Sequence, residues 1–165
     1  MDGMTSPTVE EIEKVSKLIE SARIALVTSV SEEGQLVSRP LAMQDREFDG
    51  TLWFFTQDPS PKTQQVAAND QVNVGLQVDD GWVSIAGTAT VTRDRAMIDE
   101  LWNRHAEAWF ENGKDDPTVA LLRVKADSAE YWSVESGKVL SAIKYAKAIV
   151  TGGRPDVGDN ATIEL

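Results

Sequence analysis

The hydrophobic positions along the chain follow two periods, and each change of period predicts a change of secondary structure. Apolar residues three or four positions apart, behind Thr8 and Glu11 at the spacing of a capping box, predict an amphipathic helix over residues 8–21. Segments rich in β-branched and alternating apolar residues predict seven strands, at residues 24–30, 36–44, 51–55, 71–78, 82–92, 118–126 and 129–134.

Three further helices are predicted over residues 62–68, 94–110 and 138–150. Short turns join the first three strands, as in an antiparallel meander, and Gly87 inside a long strand predicts a bulge or a close backbone approach. The pattern predicts a mainly β (α+β) fold, a small barrel of six or seven antiparallel strands with peripheral helices. With no repeat or linker we predict a single domain over residues 1–165, whose polar tail, residues 153–165, we expect to be flexible.

Charge narrows the class of partner. The 165 residues carry a formal net charge of −11, so the surface repels phosphate backbones and we expect no nucleic-acid partner. A small phosphorylated ligand is not excluded, because it responds to donors within the Debye length of about 8 Å. The chain has no apolar run near the roughly 18 residues of a membrane span, and its N-terminus is acidic and polar. We therefore expect a cytoplasmic protein without a membrane partner.

Cysteine and histidine content excludes several chemistries. The chain has no cysteine and one histidine, which excludes disulfides, thiol catalysis and multi-histidine metal sites. His105 lies in a charged helical stretch, which argues against a Ser-His-Asp triad. We predict no metal site and name no catalytic residue.

The segment FFTQDPSPK, residues 54–62, is the first candidate for ligand chemistry. If Ser60 is a helix N-cap with Pro61 at the first helical position, the following N–H groups point out of a helix end that favours anions. Lys62 would add a full positive charge, and Thr56 and Ser60 would add hydroxyl donors. The alternative interpretation is an ordinary strand-to-helix turn, since Ser-Pro begins many helices.

Two other features have both a functional and a structural interpretation. Arg39 precedes Pro40 in a strand, which fits either an arginine that binds a phosphate or an edge strand with an exposed arginine. The five tryptophans are expected mostly in the core or an interface, although Trp132 ends a strand where its ring could meet a flat ligand.

The order of short motifs along the chain carries a family resemblance. The sequence has SRPLA, then WFFT, SPK, WVSIAGTA and a late AEYW. This order resembles the pyridoxamine 5′-phosphate oxidase-like superfamily of FMN-binding split barrels, and within it the bacterial general stress proteins. The resemblance covers about residues 9–152, and it implies a split β-barrel.

The resemblance also implies a cofactor and an assembly. It implies a homodimer with flavin at the subunit interface, where FMN is the first expectation, FAD is possible, and a deazaflavin is a third option known among relatives. Arg39 and Lys62 would bind the phosphate with the hydroxyls of Thr56 and Ser60. The remaining implied contacts lie along the flavin ring or come from the other subunit, and they are Pro40, Leu41, Ala42, Phe55, Trp82, Trp132 and, more weakly, Lys138.

Two departures from the true oxidases affect the expected function. Pro61 stands where the oxidases carry an arginine beside the phosphate-binding lysine, and the late segment GKVLSAIKYAK lacks their Arg-x-His-x-Arg pattern. We therefore expect a flavin-binding protein of the general stress type without pyridoxamine phosphate oxidase activity. The alternative is a flavin-dependent oxidoreductase acting on a small molecule.

Overall fold

The computed structural model describes residues 8–79, 81–135 and 138–140. The helices of this part are α1 (Val9–Ser21), α2 (Pro61–Ala68), α3 (Arg95–Leu101) and α4 (Arg104–Trp109). Its strands are β1 (Ile24–Val30), β2 (Leu36–Ala42), β3 (Thr51–Gln57), β4 (Gln71–Val78), β5 (Gly81–Thr92), β6 (Val119–Glu135) and β7 (Lys138–Leu140). No helix in these ranges has the length and apolar character needed to cross a membrane.

The strands form one antiparallel sheet in the order β2-β1-β4-β5-β6-β3, with β7 also paired to β6. The sheet curls so far that its two outer strands, β2 and β3, approach each other. Over the described residues no ladder joins them, and this gap splits the barrel. The predicted fold class, a mainly β split barrel of six or seven strands with peripheral helices, is confirmed.

The barrel interior is filled by alternate residues of the strands, as a sheet with one buried face requires. Phe54, Val27, Val74 and Ile85 are fully buried there. Helix α1 closes one side with Val15 and Ile19. Its predicted capping box is present, because Glu11 N donates to Thr8 Oγ1 and Thr8 N donates to Glu11 Oε2.

A second apolar cluster lies on the other face of β3. Phe54 enters the barrel core, whereas its neighbour Phe55 packs outward against the helices α3 and α4. The buried members of this second cluster are Ile98, Leu101, Ala106, Phe110, Val119 and Leu121. β3 therefore joins two cores through adjacent side chains that point in opposite directions.

The predicted helix over residues 94–110 is wrong in one respect, because it is two helices. α3 ends at Leu101, and the extended backbone of Trp102 (φ −57°, ψ 130°) breaks the helical path. Asn103 then caps α4, accepting a hydrogen bond from Ala106 N at 3.0 Å. An asparagine side chain that competes for a backbone N–H in this way favours a new helix start over a continuous helix.

The two strands predicted over residues 118–126 and 129–134 are one continuous strand, β6. Ala86 pairs with Ser128 and Gly87 pairs with Ala126, so Asp127 is the extra residue of a β-bulge. Thr88 Oγ1 donates to Asp127 Oδ2 at 3.0 Å and stabilises that bulge. The bulge predicted at Gly87 is confirmed. It lets the pairing of β5 with β6 continue past Asp127 and Ser128, the polar residues at which the sequence suggested that one strand ends and another begins.

The predicted helix over residues 138–150 is wrong where it begins. Lys138–Leu140 is strand β7, which pairs with β6 from Glu135 back to Ser133. β3 pairs only with the first part of β6, so the later part has a free edge that can take another strand. Residues 141–150 of that prediction and the tail at residues 153–165 lie outside the described residues. The single domain and the cytoplasmic location stay predictions.

We expect Gly87→Ala to destabilise the fold by about 1–3 kcal/mol, because overpacking of a well-packed site has costs of this size. A Cβ at Gly87 would lie 2.6 Å from Lys125 O and 2.8 Å from Val124 Cγ1. Gly75→Ala is the matched control, since its Cβ would meet only Leu26 O at an ordinary 3.7 Å. Urea unfolding of both variants measures the difference, and equal free energies of unfolding would contradict the close-packing explanation.

Candidate functional site

The turn between β3 and α2 is fixed from two sides. It contains a cis peptide bond between Asp58 and Pro59. Asp58 N donates to Thr118 O at 2.9 Å, and Arg93 Nη2 donates to both Asp58 O and Asp58 Oδ2 at 2.9 Å. The start of α2 is thereby held at a defined place beside the end of β3.

Ser60 is the N-cap of α2, as predicted, but its capping box leaves fewer free donors than expected. Thr63 N donates to Ser60 Oγ at 3.3 Å, and Ser60 N donates to Thr63 Oγ1 at 2.9 Å. Gln64 N donates to Ser60 O, and Pro61 has no N–H. In the first turn, Lys62 therefore has the one backbone N–H left for a ligand, where the sequence predicted several.

Arg39 is half-buried rather than an exposed arginine on an edge strand, although β2 is an edge strand. Its Nη1 donates to Ser29 Oγ at 2.7 Å and to Val27 O at 3.3 Å, and its Nη2 donates to Gln65 Oε1 at 3.2 Å. Ser29 Oγ in turn donates to Gln65 Oε1 at 2.8 Å. Arg39 thus links β2, β1 and α2 through one side chain.

Lys62 and Arg39 form a local positive centre. Burial, and then the positive charge of Arg39, lower the pKa of Lys62, and burial also lowers the pKa of Arg39. Across residues 8–79, 81–135 and 138–140, neither side chain has a carboxylate within 4.0 Å. In a chain with a net charge of −11, two neighbouring half-buried cations without an acidic partner mark a place suited to an external anion.

A cavity of about 530 Å³ opens beside this positive centre. Its walls come from the end of β2, the end of β3 with the turn after it, and helix α4. The lining residues are Pro40, Leu41, Ala42, Gln44, Phe55, Thr56, Gln57, Ser60, Lys62, Asn103, His105, Ala106, Ala108, Trp109 and Phe110. The volume falls within the range typical of small-molecule sites, about 300–1,000 Å³.

The cavity collects seven of the residues predicted from the sequence, namely Pro40, Leu41, Ala42, Phe55, Thr56, Ser60 and Lys62. Arg39 lies behind Lys62 and is not part of the lining. Their roles in ligand binding stay predictions. Within the described ranges, no group of three or more His, Asp or Glu side chains could hold a metal ion.

The α4 wall is the part of the site that sequence reasoning missed. Asn103 Nδ2 donates to Gln44 Oε1 at 2.9 Å, which attaches the start of α4 to the chain after β2. The Phe55 ring lies edge-on to Trp102 at 5.6 Å and also contacts Phe110 at 6.5 Å. The one available signal was the spacing of His105 and Trp109, which are one helical turn apart and so share a face.

Trp82 and Trp132 lie outside the cavity of their own chain. They are paired across β5 and β6, whereas Thr56 pairs with Ala120, twelve residues before Trp132 on β6. Twelve strand residues span at most roughly 40 Å, and neither tryptophan is part of the cavity lining. Lys138 belongs to β7, but its side chain lies outside the described part of the structure.

Comparison with known proteins places these features in a family. The family described as pyridoxamine 5′-phosphate oxidase like matches residues 10–156. A solved structure of the general stress FMN/FAD binding protein of Xanthomonas citri is 33% identical, with 75% of this chain and 89% of that chain covered and a TM-score of 0.65.

Two further relatives are more distant in sequence. Protein bli-3 of Neurospora crassa is 28% identical over 158 residues, which are 88% of this chain and 76% of the relative. General Stress Protein 26 of Bacillus anthracis is 22% identical, with 72% and 91% of the two chains covered and a TM-score of 0.65, and it shows the likeness of fold.

We expect Lys62→Met to stabilise the ligand-free protein by roughly 0.5–1 kcal/mol, because it removes a half-buried positive charge that lies beside Arg39. A gain of this size is typical when one unfavourable, partly solvent-screened charge is removed. Because folding lowers the pKa of Lys62, the unfolded chain binds more protons between that lowered value and the ordinary lysine pKa of about 10.4. Wild-type stability should therefore rise with pH across that window, and the variant should lack this rise.

Urea unfolding at several pH values measures the effect. Lys17→Met, which removes an exposed lysine of α1, is the control and should change stability little. A Lys62→Met protein less stable than the wild type would show that Lys62 contributes to the fold rather than to a ligand site.

Proposed function

The chain belongs to the pyridoxamine 5′-phosphate oxidase-like family, in its general stress protein branch, and from this premise we propose that it binds a flavin through the positive centre at Lys62. The observation that supports the proposal most is the pair of half-buried cations, Lys62 and Arg39, without an acidic partner among the described residues. A phosphate beside the cavity would supply the missing negative charge.

The donors at this place fit a phosphate group. Lys62 supplies its ammonium and its backbone N–H, and Ser60 and Thr56 supply hydroxyls whose protons can rotate toward a ligand. Thr56 is only 2% exposed. Among the described residues its Oγ1 donates only to Gln57 O, at 3.5 Å, a weak bond that it gives up at little cost on turning to an anion. Hydrogen bonds to charged groups contribute about 1.5–3 kcal/mol each. Arg39 adds a second positive charge from behind.

The flavin ring would lie along the β2 side of the cavity. Pro40, Leu41 and Ala42 give this wall a backbone edge, and Phe55 gives it an apolar surface. FMN is our first choice of cofactor, FAD is the second, and a deazaflavin is the third. The Xanthomonas citri relative is described as an FMN/FAD binding protein, which supports the first two. When bound, a flavin supplies the electron and hydride chemistry itself, and this chain binds and orients it.

We further propose a homodimer with the flavin at the subunit interface. The outward face of the sheet exposes Ile24 (56%) and Leu26 (52%) next to Ala42 and Pro40 of the cavity wall. Across β4, β5 and the part of β6 after the bulge, the same face continues with small, polar or aromatic residues and one acidic residue, namely Asn73, Gly75, Gln77, Trp82, Ser84, Ala86, Ser128, Glu130 and Trp132. The exposed Arg123 and Lys125 lie before the bulge, outside this region. This region of the sheet face carries little charge, although the chain as a whole has a net charge of −11. Such a region favours burial against a second copy of the chain.

Such a dimer accounts for the positions of Trp82 and Trp132. Both lie on this outward face, far along β6 from the cavity of their own chain. Packing of two copies through the face is the arrangement in which these rings could approach the flavin of the other subunit. Each flavin site is incomplete without the partner in this proposal.

The biochemical role that fits best is flavin binding of the general stress type, without pyridoxamine phosphate oxidase activity. Pro61 replaces the arginine of the true oxidases, and residues 137–147 contain no arginine or histidine to grip the vitamin substrate. The alternative, a flavin-dependent oxidoreductase for a small molecule, is favoured by the room on the α4 side of the cavity. Reduction of the bound flavin by NADH or NADPH, followed by reoxidation with candidate acceptors, separates the two roles.

We expect Lys62→Met to weaken FMN binding by about 10- to 100-fold, because one or two charge-assisted hydrogen bonds of about 1.5–3 kcal/mol are lost. Quenching of flavin fluorescence during titration measures the dissociation constant. Lys17→Met tests the loss of one remote positive charge and should bind as the wild type does. A wild-type protein that takes up no flavin would overturn the proposed function, and unchanged affinity in Lys62→Met would overturn the assigned phosphate contact.

We expect Leu26→Lys to shift the protein from dimer to monomer, because it places a charge in the centre of the proposed interface. Val9→Lys is the matched control, since Val9 is 50% exposed on α1 and away from the sheet face. Sedimentation equilibrium gives the molecular mass of each variant. A wild type that stays monomeric at all concentrations would contradict the dimer.

A further inference from the structure

Helix α4 presents an aromatic surface to the cavity that the proposed flavin contacts leave unused. His105 and Trp109 both line the cavity, and Trp109 is 77% exposed. Its neighbours Trp102 and Phe110 fill the second apolar cluster together with Phe55. Trp109 therefore adds little to packing, and its ring lies at the rim of a cavity that also holds anion donors.

The position of helix α4, which carries this ring, is fixed by the elements around it. Asn103 caps α4 and bonds to Gln44, and Ala106 and Phe110 are buried in the second cluster. These contacts hold a helix of only six residues on both of its ends. The backbone of Trp109 consequently has a defined place on the cavity wall, and its side chain is mostly in solvent.

The donors lie between two walls. β2 approaches one side of β3, while the Phe55 ring on β3 packs against Trp102 and Phe110 beside α4. Thr56 is at the end of β3, with Ser60 and Lys62 just after it. A nucleotide whose phosphate occupies these donors and whose ring lies along β2 leaves the α4 wall open for a second group.

The chemistry of the α4 wall suits a nucleobase. A tryptophan ring can stack on any planar base, because stacking does not require hydrogen bonds specific to that base. On the cavity side α4 offers His105, Ala108 and Trp109, whereas the acidic Glu107 is not part of the lining. The wall thus presents no carboxylate to a phosphorylated ligand.

We propose that Trp109, with His105 one turn before it, stacks the adenine of an adenine nucleotide bound in the cavity beside the donors at Lys62. The inference rests on the proposed flavin site. Two sources share this chemistry: the adenylate half of FAD, joined to the flavin, and a separate adenine dinucleotide such as NADH beside bound FMN. The site would make the protein favour FAD over FMN, or hold an electron donor beside FMN.

The test compares the binding of FMN, FAD and NADH to the wild type, Trp109→Ala and Trp109→Phe. FMN and FAD are titrated into the flavin-free dimer by fluorescence quenching, and NADH is titrated into the FMN-loaded protein by calorimetry. We expect Trp109→Ala to weaken the binding of FAD, or of NADH, by about tenfold, as the loss of one stacked base predicts. The affinity for FMN should stay within twofold of the wild type. Trp109→Phe keeps a stacking face and should recover most of the affinity.

Val9→Ala is the matched control for the loss of an exposed apolar side chain, and thermal unfolding checks that every variant is folded. Loss of FAD affinity would show that the stacked adenine belongs to FAD itself. Loss of NADH affinity would show that it belongs to a separate adenine dinucleotide. Equal loss for FMN and FAD would overturn the inference, because Trp109 would then contact the flavin half.

Unchanged FAD and NADH affinities would overturn the inference, and so would a Trp109→Ala protein that has lost its dimer. If the wild type binds no FMN and no FAD, the proposed function itself has failed. That outcome is distinct from an FMN-binding protein that is indifferent to Trp109.

Discussion

The hydrogen bonds of Arg39 are the interaction on which the candidate site depends. One guanidinium on the edge strand β2 donates to Ser29 and the Val27 carbonyl on β1, and to Gln65 on α2. These bonds hold the first turns of α2 against the sheet, and they place a half-buried positive charge behind Lys62. Burial of Lys62, and then this neighbouring charge, lower its pKa and so work against its charged form in the ligand-free protein. A group kept in an unfavourable state by its surroundings is typical of sites that gain stability when a ligand binds.

A second constraint comes from the alternation of side chains on β3. Phe54 points into the barrel and Phe55 points toward α3 and α4, so the strand cannot shift by one residue without exchanging the two cores. The register of β3 against β6 thereby fixes Thr56 opposite Ala120 and places the following turn. Because Arg93 and Thr118 then hold that turn, the position of Ser60 and Lys62 follows from packing well away from the cavity.

The features that the sequence predicted correctly are mostly local. The capping box of α1, the exact limits of β1 and β4, and the N-cap at Ser60 depend on residues within a few positions of each other. The wrong predictions involve competition between local preference and distant partners. Asp127 looked like a strand end until β5 supplied a bulge to receive it, and the segment at Lys138 looked helical until the edge of β6 offered a ladder. The α4 wall was missed because a cavity between β2, β3 and α4 exists only after residues some sixty positions apart, such as Gln44 and Asn103, have met.

Overall charge and local charge make different contributions to such a site. With a net charge of −11, the protein as a whole slows the approach of an anionic ligand, but at physiological ionic strength this repulsion is screened beyond about 8 Å. Inside that distance Lys62 and Arg39 dominate, because no carboxylate in the described residues pairs with either. Retention of a flavin phosphate should therefore depend weakly on the acidic surface and strongly on these two cations. Higher salt should then weaken binding only modestly, since half-buried charges are screened less than exposed ones.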